Sequence, residues 1–165
     1  WGRVSLDQIK SILDKAPLMP GARETIKTLR EAGYWTAIIS SGISLLAERV
    51  QAELGIDYIL ANRLLFDGKG KLTGDGEALV ELKDKLKALR TLTAKLGLTP
   101  AQTAVVGDSR FDASMFRAAA LSIAFNPKDA EAEASATVVV KNRDLRKILP
   151  YLVVLDGYES ESSEG

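Results

Sequence analysis

The sequence contains no histidine and no cysteine among its 165 residues. Without histidine, Ser-His-Asp catalysis, histidine general bases and the usual zinc ligands of hydrolases are excluded. Without cysteine, disulfides, thiolate zinc sites and cysteine nucleophiles are excluded, and nothing follows about the cellular compartment. Carboxylates, lysines and hydroxyls are left to carry any chemistry, and Mg²⁺ is the kind of oxygen-bound cation that suits them.

The sequence also lacks net charge and long apolar runs. The 22 basic and 22 acidic residues cancel, so no overall field attracts nucleic acid or an anionic membrane. No apolar run approaches the roughly 20 residues that span a bilayer, and no signal peptide opens the chain. We therefore expect a cytoplasmic protein with no nucleic-acid or membrane partner. Because the first residue is Trp1 and not methionine, we also expect a fragment or a processed product.

Helical and strand-like apolar patterns alternate along the chain. This order predicts an α/β fold, a Rossmann-like doubly wound parallel sheet with helices on both faces and a small hairpin at its rim. The predicted helices cover 5–16, 22–32, 42–54, 78–96, 112–120, 129–134 and 144–152, and the predicted strands cover 35–40, 58–65, 71–73, 103–107, 121–125 and 137–140.

Two polar segments could hold a phosphate at the carboxyl ends of the strands, where ligands of such sheets bind. Ser40-Ser41-Gly42 ends one strand and is expected to open a helix, so it offers a hydroxyl and free backbone amides. A plain helix cap is the other interpretation. Lys85 lies close to the leucine stripe of its helix, where its amine could reach the crevice, although a solvated lysine is also common.

A pair of carboxylates follows the strand 103–107. Asp108 would project from the strand end, and Asp112 lies four residues further on, in the first turn of the next helix. Both could approach one point and hold a metal ion. Alternatively, the segment is a surface turn in which Asp112 interacts with the helix dipole.

Together these segments resemble the haloacid dehalogenase superfamily of phosphatases, and within it the phosphoserine phosphatase branch. The resemblance covers about residues 5–152. Its motifs are Met19-Pro20-Gly21-Ala22, Ile38-Ile39-Ser40-Ser41-Gly42, Asp57-Tyr58, Ala61-Asn62-Arg63-Leu64, Lys71-Leu72-Thr73-Gly74-Asp75, Lys85, Val106-Gly107-Asp108, Asp112, Met115-Phe116, Arg143-Asp144-Leu145 and Ile148-Leu149.

The resemblance implies a role for each phosphate-binding residue. Ser40 would hydrogen-bond a phosphate oxygen and Gly42 would add a backbone amide. Ser41 stands beside them, where the branch often has glycine. Lys85 would neutralise negative charge on the nucleophile and on the phosphoryl group.

The resemblance also implies a Mg²⁺ site. Asp108 would be a ligand of the ion, and Asp112 would hold the metal's waters or complete its shell. With Lys85, Asp108 would form the catalytic set for phosphoryl transfer, in which a carboxylate attacks and water hydrolyses the aspartyl phosphate.

The attacking aspartate of the family opens an Asp-x-Asp-x-Thr or Val motif on a first strand, and no such motif precedes Ser40. In the family that strand lies between the strands that here end at Ser40 and Asp108. We therefore expect the sequence to lack an N-terminal piece that contains it. One substitute nucleophile is Asp156, which follows the apolar run Val153-Val154-Leu155 in a permuted arrangement. A frayed tail is the other interpretation of that segment.

The family resemblance divides the chain into three expected parts. Residues 1–16 would be the C-terminal remnant of a helical cap, 17–152 the core domain, and 153–165 an extension that is partly disordered because it is acidic and rich in serine. The predicted function is a magnesium-dependent phosphatase of a small, phosphoserine-like metabolite. The alternatives are a non-catalytic phosphate-binding domain and a fragment without a nucleophile.

Overall fold

The computed structural model describes residues 4–153, and the predicted alternation of helices and strands is present in them. The chain forms an α/β fold with two three-stranded sheets flanked by helices. The helices are α1 (Leu6–Leu13), α2 (Ala22–Glu31), α3 (Ser44–Leu54), α4 (Lys85–Lys95), α5 (Ala113–Ala118) and α6 (Ala130–Ser135), the strands are β1 (Ala37–Ile43), β2 (Tyr58–Phe66), β3 (Leu72–Glu77), β4 (Ala104–Gly107), β5 (Leu121–Phe125) and β6 (Val138–Val140), and short 3₁₀ helices lie at Pro100–Gln102, Arg110–Asp112 and Leu145–Tyr151.

The first sheet has the strand order β1-β2-β3. β1 pairs in parallel with β2, and β2 pairs in antiparallel fashion with β3 to form the predicted hairpin. The β1–β2 register is regular from Ala37 to Ser40 and shifts between Ser40 and Ile43. This irregularity places the segment Ser40-Ser41-Gly42 at the end of the regular pairing.

The second sheet, with the order β4-β5-β6, is entirely parallel. Its central strand β5 is an apolar run, as expected for a strand covered on both faces, and Ile123 and Ala124 have no exposed surface. On one side Ala124 packs with Val105, Met115 and Phe116. On the other, Ile123 belongs to a second cluster with the 3₁₀ helix at Leu145–Tyr151.

Within the described residues, β1 and β4 belong to different sheets. A cavity of about 420 Å³ lies between them, lined by Ile39 of β1, Val105 and Val106 of β4, and Leu89 of α4. The side chain of Trp35, at its edge, is largely exposed. The facing edges of the two strands are thus separated by an apolar groove.

The N-terminal helix α1 lies against the hairpin and α3. The Ser5 side chain and Gln8 form a reciprocal cap at its start, and the backbone N–H of Leu6 donates to the carbonyl of Gly70 at 2.9 Å. At its other end the Arg49 guanidinium donates to the carbonyls of Leu13 and Ala16 at 2.7 and 2.6 Å. These contacts anchor the predicted cap remnant, whose assignment as a separate unit stays a prediction.

Several predicted bounds were wrong: α1 ends at Leu13 and not at 16, β1 covers Ala37–Ile43 and not 35–40, and β3 covers Leu72–Glu77 and not 71–73. Three further differences concern helices. The helix predicted at 78–96 begins at Lys85, because the Asn62 side chain engages the backbone around residue 79 and the Asp84 carboxylate caps the helix at the N–H of Lys87. The helix predicted from Gly42 begins at Ser44, after the end of β1. The last predicted helix is a 3₁₀ helix and contains Pro150, which lacks an N–H donor.

None of the helices within residues 4–153 is long and apolar enough to cross a bilayer. The predicted extension 153–165, including Asp156, lies outside the described residues except for Val153.

Candidate active site

A shared apolar cluster brings three of the predicted site segments together. Ile39, Leu86 and Val105 pack in or against the same core cluster. Each lies within three positions of a predicted site residue: Ile39 precedes Ser40, Leu86 follows Lys85, and Val105 is three residues before Asp108. The core thus gathers β1, α4 and β4 around one region.

Lys85 and Asp112 form a direct ion pair. The Lys85 Nζ donates to the Asp112 Oδ1 at 2.7 Å, and the side chains are only 13% and 5% exposed. A buried charge is costly unless it is paired and hydrogen-bonded. The structure therefore excludes a solvated Lys85, and Asp112 does not lie in a surface turn.

The second oxygen of Asp112 orders the loop that follows β4. Its Oδ2 accepts from the backbone N–H groups of Asp108 and Ser109 at 3.0 and 3.1 Å, and from the Ser109 hydroxyl at 3.3 Å. Gly107 permits this fold-back, because a Cβ at that position would lie 2.6 Å from the Asp112 carboxylate. Both Asp112 oxygens thus have protein partners.

Asp108 projects toward solvent, with its side chain 44% exposed. Its Oδ2 lies 2.6 Å from the Nζ of Lys128, a residue in the loop between β5 and α6. The hydrogen bond and the negative charge of Asp108 raise the pKa of Lys128. Lys128 could not be predicted from the sequence, since it lies in a loop with no recognisable motif.

The Ser40-Ser41-Gly42 segment lies near the C-terminal end of β1, where the pairing with β2 becomes irregular. The backbone N–H of Gly42 donates to the Ser40 Oγ at 3.0 Å, so this amide has a partner within the segment and is not free as the sequence predicted. The carbonyl of Ser41 accepts from the Asn62 side chain at 2.9 Å. Because α3 begins at Ser44 and its N-cap residue is Ile43, this segment does not cap the helix, which was the other interpretation.

The structural role of Asn62 was not predicted either, although Asn62 lies in one of the motifs that carry the family resemblance. Its Nδ2 donates to the carbonyls of Ser41 and Val80, and its Oδ1 accepts from the N–H groups of Leu79 and Val80, all at 2.8–3.0 Å. One amide thus joins the end of β1 to the segment that leads to Lys85. A polar residue within an apolar strand was the available signal.

The carboxylates of Asp108 and Asp112 differ in how well they suit a Mg²⁺ ion. Among residues 4–153, no group of three or more Asp, Glu, His or Cys side chains is arranged to hold a metal. Mg²⁺ in phosphoryl-transfer sites is usually held by one or two carboxylates, with waters and substrate phosphate completing the shell. The exposed Asp108 carboxylate fits that chemistry, whereas Asp112 is occupied by Lys85 and the backbone.

A model of the haloacid dehalogenase-like hydrolase family matches residues 3–117. The phosphoserine phosphatase of Methanocaldococcus jannaschii is 38% identical over 89% of this chain and 69% of its own length. That of Idiomarina loihiensis is 39% identical over 86% of this chain and 64% of its own length. The chain therefore spans about two thirds of these relatives. It belongs to the haloacid dehalogenase-like hydrolase family.

Solved structures support the same relationship. An apo phosphoserine phosphatase superposes with a TM-score of 0.81 at 34% identity, covering 91% of this chain and 74% of the other. A phospho-aspartyl intermediate analogue of phosphoserine phosphatase gives 0.80 at 35% identity over 91% and 71%. The predicted family and fold class are confirmed. The roles of the individual site residues stay predictions.

Proposed function

We propose that the protein is a magnesium-dependent phosphomonoester hydrolase that acts on a small phosphorylated metabolite, with phosphoserine as the leading candidate, through an aspartyl-phosphate intermediate. The observation that carries this proposal is the buried Lys85–Asp112 pair beside the exposed Asp108 carboxylate. The phosphoserine phosphatase relatives and the phospho-aspartyl analogue support the substrate and the intermediate.

Charge complementarity explains the proposed roles. Phosphoryl transfer spreads negative charge over the equatorial phosphate oxygens, and fixed donors stabilise that charge most where water is excluded. Lys85 supplies an ammonium held in one orientation by Asp112. Ser40 supplies a hydroxyl, with Gly42 and Ser41 beside it. In this proposal Asp112 is a positioning residue.

Asp108 is the proposed carboxylate ligand of Mg²⁺. The ion, when bound, would offset negative charge on the phosphoryl oxygens. Asp112 would influence this site through the backbone N–H of Asp108, which it accepts at 3.0 Å. This role differs from the two that the resemblance implied, which were to hold the metal's waters or to complete its shell.

The attacking carboxylate is not assigned among residues 4–153. Asp156, the substitute nucleophile suggested by the sequence, lies outside them. The apolar groove between β1 and β4 has the position that the family resemblance gives to its first strand. A strand in this groove would end near Ser40 and Asp108, where an attacking carboxylate is needed. We further propose that residues 1–16 belong to a cap that covers this region.

Phosphatase activity is tested by incubating the protein with Mg²⁺ and either phosphoserine or p-nitrophenyl phosphate and measuring released phosphate. We expect release that is abolished by EDTA and reduced at least tenfold in Lys85→Ala. The matched control is Lys83→Ala, a change at an exposed lysine of the neighbouring segment. Saturable phosphate binding without any release would contradict the hydrolase proposal and favour a non-catalytic phosphate-binding domain.

The site assignment is tested separately by calorimetry. Asp108→Asn is expected to weaken Mg²⁺ binding, and Lys85→Ala is expected to weaken the binding of inorganic phosphate. Asp75→Asn, in the exposed hairpin, is the control for the first change. Unchanged affinities in both site variants would remove Asp108 and Lys85 from the proposed site.

A further inference from the structure

The loop between β5 and α6 is held against the loop that follows β4 by backbone contacts. The backbone N–H of Lys128 donates to the carbonyl of Asp108 at 2.7 Å. In the opposite direction, the backbone N–H of Arg110 donates to the Asp129 carboxylate at 2.9 Å. This hydrogen bond, with that from the N–H of Ala132, lowers the pKa of Asp129. The two loops are therefore joined at Asp108 itself and at Arg110, two residues further on.

The path of the β5–α6 loop directs Lys128 toward Asp108. Asn126 has a positive φ of 44°, a conformation that asparagine tolerates better than most residues. Its backbone N–H donates to the carbonyl of Val140 at 2.7 Å. This turn brings the chain back over the end of β4, so that the Lys128 ammonium lies 2.6 Å from the Asp108 Oδ2.

We propose that Lys128 is a built-in competitor for the metal ion: its ammonium contacts the Oδ2 of Asp108, and it must move away before Mg²⁺ can bind this carboxylate at full strength. The proposal rests on the proposed function, in which Asp108 is the metal ligand. A Mg²⁺ ion binds carboxylate oxygens at about 2.0–2.1 Å, so an ammonium on the same oxygen would meet the ion at close range. Like charges so close repel each other.

The competition is expected to be modest and readily reversed. The Lys128 side chain is 72% exposed, and exposed ion pairs contribute little to stability. The displaced ammonium can return to water without leaving a buried charge unpaired. Because its backbone stays bonded to Asp108, the ammonium also remains close when the metal leaves. Lys128 would thus hold Asp108 in place without the ion, at the cost of some metal affinity.

The test is Mg²⁺ titration calorimetry of the protein and of Lys128→Met. Loss of the competing ammonium should tighten Mg²⁺ binding roughly two- to fivefold, the range that corresponds to an exposed ion pair. Lys141→Met is the matched control, because Lys141 forms an ion pair of similar exposure with Glu133 at 3.0 Å. We expect no change in that variant. Lys128→Arg should bind Mg²⁺ like the unmodified protein.

The outcomes separate this inference from the proposed function. If Asp108→Asn weakens Mg²⁺ binding while Lys128→Met leaves it unchanged or weaker, the competition is refuted and the metal site stands. If Asp108→Asn has no effect on Mg²⁺ binding, both the metal site and the competition fail. Equal tightening in Lys128→Met and Lys141→Met would reduce the effect to net charge and would also overturn the proposal.

Discussion

The two sheets of the molecule are held in place by different kinds of interaction. In the second sheet, β5 is buried almost along its whole length and packs between two apolar clusters. In the first sheet, β1 is only partly buried and β3 is exposed beyond Leu72. Side-chain hydrogen bonds there fix the ends of the strands, chiefly those of Asn62 and Asp57.

The second sheet is therefore the more rigid support of the candidate site, and the first sheet is the part that single hydrogen bonds control. Apolar packing is insensitive to pH and tolerates little change in volume. Hydrogen bonds can be weakened singly, and each has a modest net contribution. The second sheet thus provides a rigid base for Asp108, while the first positions Ser40 through polar contacts. The ion pair between Lys85 and Asp112 joins α4, which follows the first sheet in the chain, to the loop that follows β4 of the second sheet.

The largest effect is expected in the core of the second sheet. Ile123→Ala removes a fully buried side chain and should lower the free energy of unfolding by about 3–5 kcal/mol through lost burial and the resulting cavity. Denaturant unfolding measures the change. Val139→Ala, at a partly exposed position of the same sheet, is the control, and an equal loss there would contradict a packing-dominated sheet.

A smaller but still substantial loss of stability is expected when the ion pair between Lys85 and Asp112 is broken. Lys85→Met should cost about 2–4 kcal/mol, because it leaves the buried Asp112 carboxylate without its cation. Asp112 keeps its backbone donors, which limits the loss. Lys87→Met, at an exposed lysine of the same helix, should change stability by less than about 0.5 kcal/mol. Similar unfolding midpoints for the two variants would disprove the bridging role of Lys85.

In the first sheet, Asn62→Ala tests the polar connection. The change removes four hydrogen bonds and should cost about 1–3 kcal/mol. Amide hydrogen exchange at residues 79 and 80 should accelerate by a larger factor than exchange in β5. Arg63→Ala, which removes an exposed ion pair with Glu77, is the comparison, and equal exchange rates in the two variants would refute the Asn62 connection.

The smallest effect is expected to depend on pH. The backbone N–H of Thr36, and then its hydroxyl and Arg30, lower the pKa of Asp57. A lowered folded-state pKa stabilises the protein above the ordinary pKa, and the stabilisation is lost as the pH falls through the folded value. Asp57→Asn should therefore cost about 1 kcal/mol at neutral pH.

The difference in stability between Asp57→Asn and the unmodified protein should shrink below roughly pH 4. Unfolding curves between pH 7 and pH 3 measure this dependence. Asp75→Asn, in the exposed hairpin, is the control. A difference that stays constant with pH would show that the Asp57 charge does not stabilise the first sheet.

Most helices and strands could be predicted from the sequence, because apolar periodicity records which face is buried. The start of α4 could not, since it depends on Asn62, which lies more than 20 residues away and takes the backbone donors of Leu79 and Val80. Local patterns favoured a helix through that segment. A long-range side-chain contact decided otherwise.

For the candidate site, spacing indicated which residues matter but not how they are paired. The role predicted for Asp112 beside a metal stays a prediction, and its contacts with Lys85 and the loop backbone were not foreseen. The partner of Asp108 is Lys128, which has no motif around it. Pairing depends on how loops fold back over strand ends, and that path is not recorded in apolar periodicity.

The close contact between Gly107 and the Asp112 carboxylate limits which residues the candidate active site can accept at position 107. Asp112 can lie across the end of β4 only because residue 107 has no side chain. An added methyl group would push the carboxylate outward and separate Lys85 from its partner. Any side chain at residue 107 would therefore disturb the Asp112 carboxylate, the Lys85 ammonium and the loop that follows β4 together.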